Sequence, residues 1–257
     1  MDTILRTARL SVSFGEHDVI KEVDLEIERG KLVSIIGPNG AGKKTLFNLI
    51  SGQISPTRGE IYFKERNVTG LSIPMRARAG IGRSFQLTNI FPELTVLENI
   101  RLSVQSAGKD YYSIFPKPGL KKRQEEEARE LMETCMLKEK GDALAIDLAH
   151  GEKRKLELAM LLALKTELLL LDEPTAGISI EDIPAILEVI NRIKEGGHHT
   201  IVLIEHKMDM VMHLSDRLVV LFNGELLASG DPRTIIKDER VQTAYLGGMH
   251  NESIKSG

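Results

Sequence analysis

The residues from Leu32 to Ile50 constrain this chain more than any others. Leu32-Val33-Ser34-Ile35-Ile36 is a short apolar, β-branched run that reads as a buried strand. It breaks into Gly37-Pro38-Asn39-Gly40-Ala41-Gly42-Lys43, after which Thr45-Leu46-Phe47-Asn48-Leu49-Ile50 carries apolar residues at helical spacing. Strand, glycine-rich loop, lysine and helix in that order make a seat for phosphate. The glycines let several backbone N–H groups converge without Cβ clashes, and the helix presents the positive end of its dipole to the anion. Lys43 then reaches the β- and γ-phosphates of a nucleotide.

The position after that lysine calls for Ser or Thr, whose hydroxyl ligates Mg²⁺. Here it holds Lys44, with Thr45 one place later. At an effective dielectric of ~20, two unit charges ~4 Å apart repel by about 4 kcal/mol, and a divalent ion feels more. Secure nucleotide binding with weakened metal placement is the expectation.

Length and composition narrow the class. A chain of 257 residues with 42% apolar and 28% charged residues is that of a soluble globular protein with a full core. A formal charge of −3 argues against a general nucleic-acid binder, so no nucleic-acid partner is expected. Cys135 is the single cysteine, which excludes an internal disulfide and suits a reducing cytoplasm. The N-terminus lacks a secretory apolar core, and no apolar run reaches the ~20 residues needed to cross a bilayer. Membrane association is therefore expected to come through a partner.

Before the loop, Leu5–Phe14 and Val19–Ile27 read as strands, the second with the alternation of a half-exposed antiparallel strand. Phe14 at the end of the first is, by itself, either core or a ring available for stacking. After the loop, 59–63 reads as a strand, 72–79 as a short helix, and 81–85 as a strand ending at Gln86. From Thr95 to Leu164 the signals are mostly helical, beginning with a capping box of Thr95 and Glu98. Residues 106–122 read as a loop, and the basic cluster around Lys121 as a solvated face. Ala128, Leu131, Met132 and Cys135 share one helical face, making Cys135 a core thiol. Residues 147–154 read as a loop leading into a helix over 155–164. Leu168 to Leu171 read as a strand buried on both faces, ending in Asp172 and Glu173. Beside a phosphate seat, Asp172 suits the organisation of Mg²⁺ and Glu173 the polarisation of an attacking water. An amphipathic helix over 183–193 and a core strand over 200–204 follow. If that strand is parallel to the last, His206 joins Asp172 and Glu173 on one sheet edge. A hairpin then spans 217–229 across Asn223-Gly224.

Taken together, these residues resemble an ATP-binding-cassette (ABC) ATPase, the nucleotide-binding subunit of a membrane transporter. Gly37, Pro38, Asn39, Gly40, Ala41, Gly42 and Lys43 resemble the Walker A loop, with Lys44 and Thr45 after it, and Gln86 takes the Q-loop position. Leu148-Ala149-His150-Gly151-Glu152 stands at the signature segment, usually L-S-G-G-Q. Leu168–Asp172 with Glu173 matches Walker B and the catalytic glutamate. Ala176–Ser179 lies at the D-loop, His206 at the switch histidine, and Phe14 at the adenine-stacking aromatic. Gly80–Gln86, Phe91–Asn99, the segment Ile204-Glu205-His206-Lys207-Met208 and Thr243–Gly247 resemble more narrowly the ATPases of branched-chain amino-acid importers and their urea and amide relatives.

The resemblance implies an α/β fold: a P-loop NTPase (RecA-like) core with an antiparallel β subdomain and an inserted all-helical subdomain. One nucleotide-binding domain is expected over 1–257, with 1–91 and 166–235 as the core, 92–165 helical, and 236–257 a C-terminal helix and tail. It implies ATP hydrolysis by a head-to-tail sandwich of two ATPase subunits, identical or paralogous, with residues 148–152 acting in trans. Glu173 and His206 are the implied catalytic pair, and Asp172 and Gln86 the implied Mg²⁺ ligands. The implied partners are membrane permease subunits and, indirectly, an external solute-binding protein, with the chain on the cytoplasmic inner face of the membrane. Three departures stand out: Ala149 for a serine, Ser179 for a frequent aspartate, and Lys44. The last opens the further reading of a binding-only subunit paired with an active paralogue; a soluble ABC ATPase without a permease is a separate alternative.

Overall fold

The computed structural model describes residues 2–84, 90–108 and 119–244. The chain opens with two long antiparallel strands, β1 (Thr3–Phe14) and β2 (His17–Glu28), followed by β3 (Leu32–Ile36) and helix α1 (Lys43–Ser51). Strands β4 (Arg58–Phe63) and β5 (Arg66–Asn67) complete a four-stranded antiparallel sheet in the order β2-β1-β4-β5. Helix α2 (Ile73–Ala79) and β6 (Ile81–Arg83) come next, then the helices α3 (Val96–Ala107), α4 (Leu120–Thr134) and α5 (His150–Ala163). The remainder alternates β7 (Leu168–Asp172), α6 (Ile183–Glu195), β8 (Thr200–Ile204) and α7 (Met208–Leu214). The hairpin β9 (Arg217–Phe222) and β10 (Glu225–Gly230), a short α8 (Pro232–Ile235) and a further helical stretch over residues 239–244 close the described chain.

The second sheet has six strands in the order β10-β9-β3-β8-β7-β6, parallel except for the β9–β10 hairpin. Its central strands are apolar on both faces because both are covered. Leu168 and Leu170 of β7, with Val202 and Ile204 of β8, join a core built from Leu46, Phe47, Leu49 and Ile50 of α1 and the antiparallel sheet beyond it. Leu169, Leu171, Ile201 and Leu203 point the other way, onto α5, α6 and the helical block. Helix α1 is thus held between the two sheets, and its apolar spacing follows from being covered on both sides.

The capping box of Thr95 and Glu98 forms as the sequence predicts. Asn99 is fully buried behind it, its amide accepting from the Phe91 N–H at 2.7 Å and donating to the carbonyls of Phe91, Leu94 and Thr95. Ala128, Met132 and Cys135 are buried together, and burial pushes the Cys135 thiol up to about 12. Helices run further than the sequence reading allowed. α3 continues to Ala107 and α4 begins at Leu120, so part of the expected 106–122 loop is helical. α5 starts at His150 rather than Lys155, because the Glu152 carboxylate turns back to accept from the Ala149 N–H at 3.0 Å. The two-residue β5 was not expected. Asn223 and Gly224, both with positive φ, make the anticipated tight turn.

Arg76 of α2 is 1% exposed, and its guanidinium donates to the carbonyls of Leu49 (2.5 Å), Ile50 (2.8 Å), Thr69 (2.7 Å) and Leu71 (3.1 Å). It caps the carboxyl end of α1, where helix carbonyls lack partners. Removing it leaves buried acceptors unsatisfied at ~1–3 kcal/mol each. Arg76→Ala should lower unfolding free energy by about 3 kcal/mol or more in urea titration, and Arg76→Lys should recover less than half, lacking the planar fork. An unchanged urea midpoint would show that water satisfies those carbonyls.

Candidate functional site

The loop after β3 is shaped by two glycines. Gly37 has φ 154° and a Cβ there would meet the Leu221 carbonyl oxygen at 2.2 Å. Gly42, at φ 99°, is the N-cap of α1, and a Cβ there would stand 2.7 Å from the end of Ile20. No side chain caps α1, so its first N–H groups face outward at the positive end of the helix. The loop is braced from the side by the β9–β10 turn, where the Gly224 N–H donates to the Ala41 carbonyl at 3.2 Å. The Lys43 ammonium curls back into the loop, donating to the carbonyls of Gly37 (2.6 Å) and Pro38 (3.0 Å). Burial lowers its pKa, and the Glu173 charge partly offsets this.

A cavity of about 270 Å³ opens over this loop, lined by Val19, residues 39–45, Glu173 and His206. A larger cleft of about 640 Å³ lies between β1, β2 and β10, walled by Asp18, Lys21, Glu22, Asp24, Arg58 and Glu225. It has neither a glycine loop nor a helix N-terminus, so the smaller cavity holds the chemistry.

Because β7 and β8 are parallel and in register, with Asp172 beside Ile204, their carboxyl ends bring Asp172, Glu173 and His206 to one edge. Asp172 is 3% exposed. Its Oδ2 accepts from Arg83 at 3.2 Å, while its Oδ1 is buried without a hydrogen-bond partner among the described residues. Arg83 also donates to Asn48 Oδ1 (2.6 Å) and Ser51 Oγ (3.0 Å), tying α1 to β7. Glu173 sits in the left-handed region at φ 47°, and its N–H donates to the Ile204 carbonyl. His206 Nε2 lies 3.3 Å from Glu173 Oε1. On the same oxygen, at 3.1 Å, rests the ammonium of Lys44. Burial would raise the Glu173 pKa, but Lys44 and His206 outweigh it and hold the carboxyl below the usual range.

Glu205, which sequence reasoning passed over, is 5% exposed and shapes the loop that carries His206. Its carboxylate accepts from the His206 and Lys207 N–H groups at 3.1 and 3.3 Å and from the Thr175 hydroxyl at 3.1 Å. Arg154 was also missed; it donates to the carbonyls of Pro174 and Asp172, both at 3.2 Å, and so joins the first turns of α5 to the end of β7.

Residues 148–152 form the start of α5 and none of them lines the cavity in their own chain. A Cβ on Gly151 would lie 3.2 Å from the Asp182 side chain. Phe14, 54% exposed, sits at the β1–β2 turn opposite His17, outside the cavity wall but on the hairpin that supplies Val19. Gln86 lies outside the described residues.

For Mg²⁺, the described donors fit poorly. Asp172 Oδ1 is a free oxygen suited to a cation. The neighbouring position supplies an ammonium in place of a hydroxyl, and a divalent ion ~4 Å from it is repelled by about 8 kcal/mol at an effective dielectric of ~20.

The sequence matches the family model described as ABC transporter over residues 20–176. It also matches that described as branched-chain amino acid ATP-binding cassette transporter over residues 225–251. It is 36% identical over 249 residues to the high-affinity branched-chain amino acid transport ATP-binding protein LivG of Salmonella typhimurium, covering 95% of this chain and 98% of that protein. To BraF of Pseudomonas aeruginosa, of the same printed description, it is 35% identical over 250 residues, covering 95% and 98%. Among solved structures, the ADP conformation of an ATP-binding cassette of an ABC transporter superposes with a TM-score of 0.83 at 30% identity, covering 96% of this chain and all of that one.

Gly42→Ala tests the loop. A residue with a side chain at φ 99° costs ~1–3 kcal/mol of strain, so calorimetric titration should give ATP affinity reduced about tenfold with the fold retained. Undiminished affinity would move the phosphate seat elsewhere.

Proposed function

This chain belongs to the ABC transporter family of ATPases, and from that premise we propose that it is the ATP-binding subunit of an importer of branched-chain or related amino acids. The observation that carries the reading is the convergence of the glycine loop, Lys43, Glu173 and His206 on one cavity. The narrower substrate class rests on the relatives' printed descriptions and on the match over residues 225–251.

The steps fall to the chain's own residues. Backbone N–H groups of residues 40–45 and Lys43 bind the phosphates, the ammonium exchanging the Gly37 and Pro38 carbonyls for phosphate oxygens. Phe14, exposed at its hairpin end, stacks on the adenine. Glu173 accepts a proton from the attacking water as the new bond to the γ-phosphorus forms and the bond to ADP breaks. His206, positioned by Glu205, holds the water and the γ-phosphate. Residues 148–152 close over the nucleotide of a second ATPase subunit, identical or paralogous. Mg²⁺ is the family's expected cofactor; Asp172 and Gln86 would be its protein ligands and it would neutralise phosphate charge, but Lys44 opposes its binding.

The membrane partner docks on the helical block. Phe91, Leu144 and Ile146 are exposed apolar residues there, and the Ala145 and Ile146 N–H groups donate to the Leu94 and Pro92 carbonyls, so these side chains sit in one patch. Among the described residues no helix is long and apolar enough to cross a membrane, which fits attachment through permease subunits at the inner face. A second reading, a weakly hydrolysing subunit paired with an active paralogue, is favoured by one observation: Lys44 occupies the Glu173 oxygen that the water needs.

Crosslinking from cysteines engineered at Pro92 and Glu93 should capture a permease in membranes expressing the whole transporter. Capture from the C-terminal tail alone would overturn the docking face. Lys44→Ser frees Glu173 Oε1 and removes a charge, so steady-state turnover of the assembled transporter should rise about tenfold or more. Unchanged turnover would show that Lys44 is harmless to hydrolysis.

A further inference from the structure

Lys44 is the residue whose placement the established chemistry leaves unexplained. It follows Lys43 in the first turn of α1, its stem lines the nucleotide cavity, and its ammonium reaches across to Glu173 Oε1 at 3.1 Å. The other acid on this edge already has a cation, since Arg83 donates to Asp172 Oδ2 at 3.2 Å. Asp172 and Glu173 are therefore each matched to a positive side chain, and Lys43 remains as a further positive charge on the loop itself.

We propose that the Lys44 ammonium is a built-in cation for the nucleotide phosphates, so that this chain binds ATP without a divalent metal. The inference deepens the ATP-binding reading and rests on it. A lysine ammonium is a compact point charge on a flexible stem. The Lys44 side chain is 48% exposed, so it can turn towards a phosphate oxygen without losing much burial. The bridging role that a metal plays between phosphate and carboxylate edge passes to a side chain already anchored at that edge. The exchange has a direction. Without nucleotide, Lys44 neutralises Glu173 and keeps the cavity from holding an uncompensated carboxylate; with nucleotide, a phosphate oxygen shares the ammonium with Glu173. A divalent ion arriving with ATP meets Lys44 in the place where it needs a hydroxyl oxygen, and so adds repulsion rather than affinity.

The test is calorimetric titration of the full chain with ATP, once in excess EDTA and once in excess Mg²⁺. The wild-type chain should bind in EDTA within about threefold of its affinity in Mg²⁺, or more tightly. Lys44→Thr, which restores the hydroxyl, should lose about tenfold or more in EDTA and regain it in Mg²⁺. Lys44→Met keeps the stem without the charge and should be weaker than wild type by about tenfold in EDTA, which covers the case in which the threonine variant fails to fold. A wild-type affinity that falls tenfold or more on chelation overturns the inference and leaves ATP binding intact. Absence of ATP binding under both conditions overturns the ATP-binding reading together with it.

Discussion

Helix α1 is short, only the nine residues Lys43–Ser51, yet four of its side chains fill the space between the two sheets and both of its ends are fixed by other elements. Its amino end is set by Gly42 against Ile20, and its carboxyl end by the buried Arg76. Arg83 then couples its polar face to Asp172. Phosphate affinity depends on N–H groups held in a fixed direction, and this clamping supplies that direction before any ligand arrives. A loop with the same glycines on a frayed helix would bear the cost of ordering itself on binding.

The parts of the fold that could be read from sequence are those where one periodicity dominates. Leu168–Leu171 announced a doubly covered strand because all four positions are apolar, and the two faces do enter different cores. The phosphate loop was legible because backbone geometry limits it to glycine at Gly37 and Gly42. The start of α5 was not. Ala149 carries no capping oxygen, so the helix signal there lies in Glu152 reaching backwards, and a charged residue in a polar stretch does not announce that alone. Arg76 and Arg154 were equally hidden, since each acts on backbone groups distant in sequence, and so was Glu205, which turns onto the N–H groups of its two successors and the Thr175 hydroxyl; nothing in local pattern distinguishes the three from solvated charges. The contact between Lys44 and Glu173 required the third dimension altogether: 129 residues separate them, and a lysine at that position reads from sequence simply as a repulsive charge.

Charge on the sheet edge is balanced pairwise rather than pooled. Arg83 faces Asp172, Lys44 and His206 share Glu173, and Lys43 turns to backbone carbonyls. Lys43 and Lys44, the lysines that line the cavity, are thus each engaged with a group they must release or share when an anion enters, so ligand binding is an exchange of partners rather than a filling of empty positive space. Exchange of this kind favours selectivity over raw affinity, because only a ligand with several anionic oxygens replaces all the contacts at once.

Arg154 gives this molecule a mechanical property as well as a stabilising one. One planar guanidinium connects the first turns of α5 to the carbonyls of Asp172 and Pro174, on either side of Glu173. The surface at residues 148–152 and the strained backbone of Glu173 are therefore ends of one short, stiff link. Pressure on the amino end of α5 arrives at Glu173 as displacement rather than being absorbed by intervening loop. A subunit docked against the amino end of α5 would therefore bear on the backbone that aims Glu173.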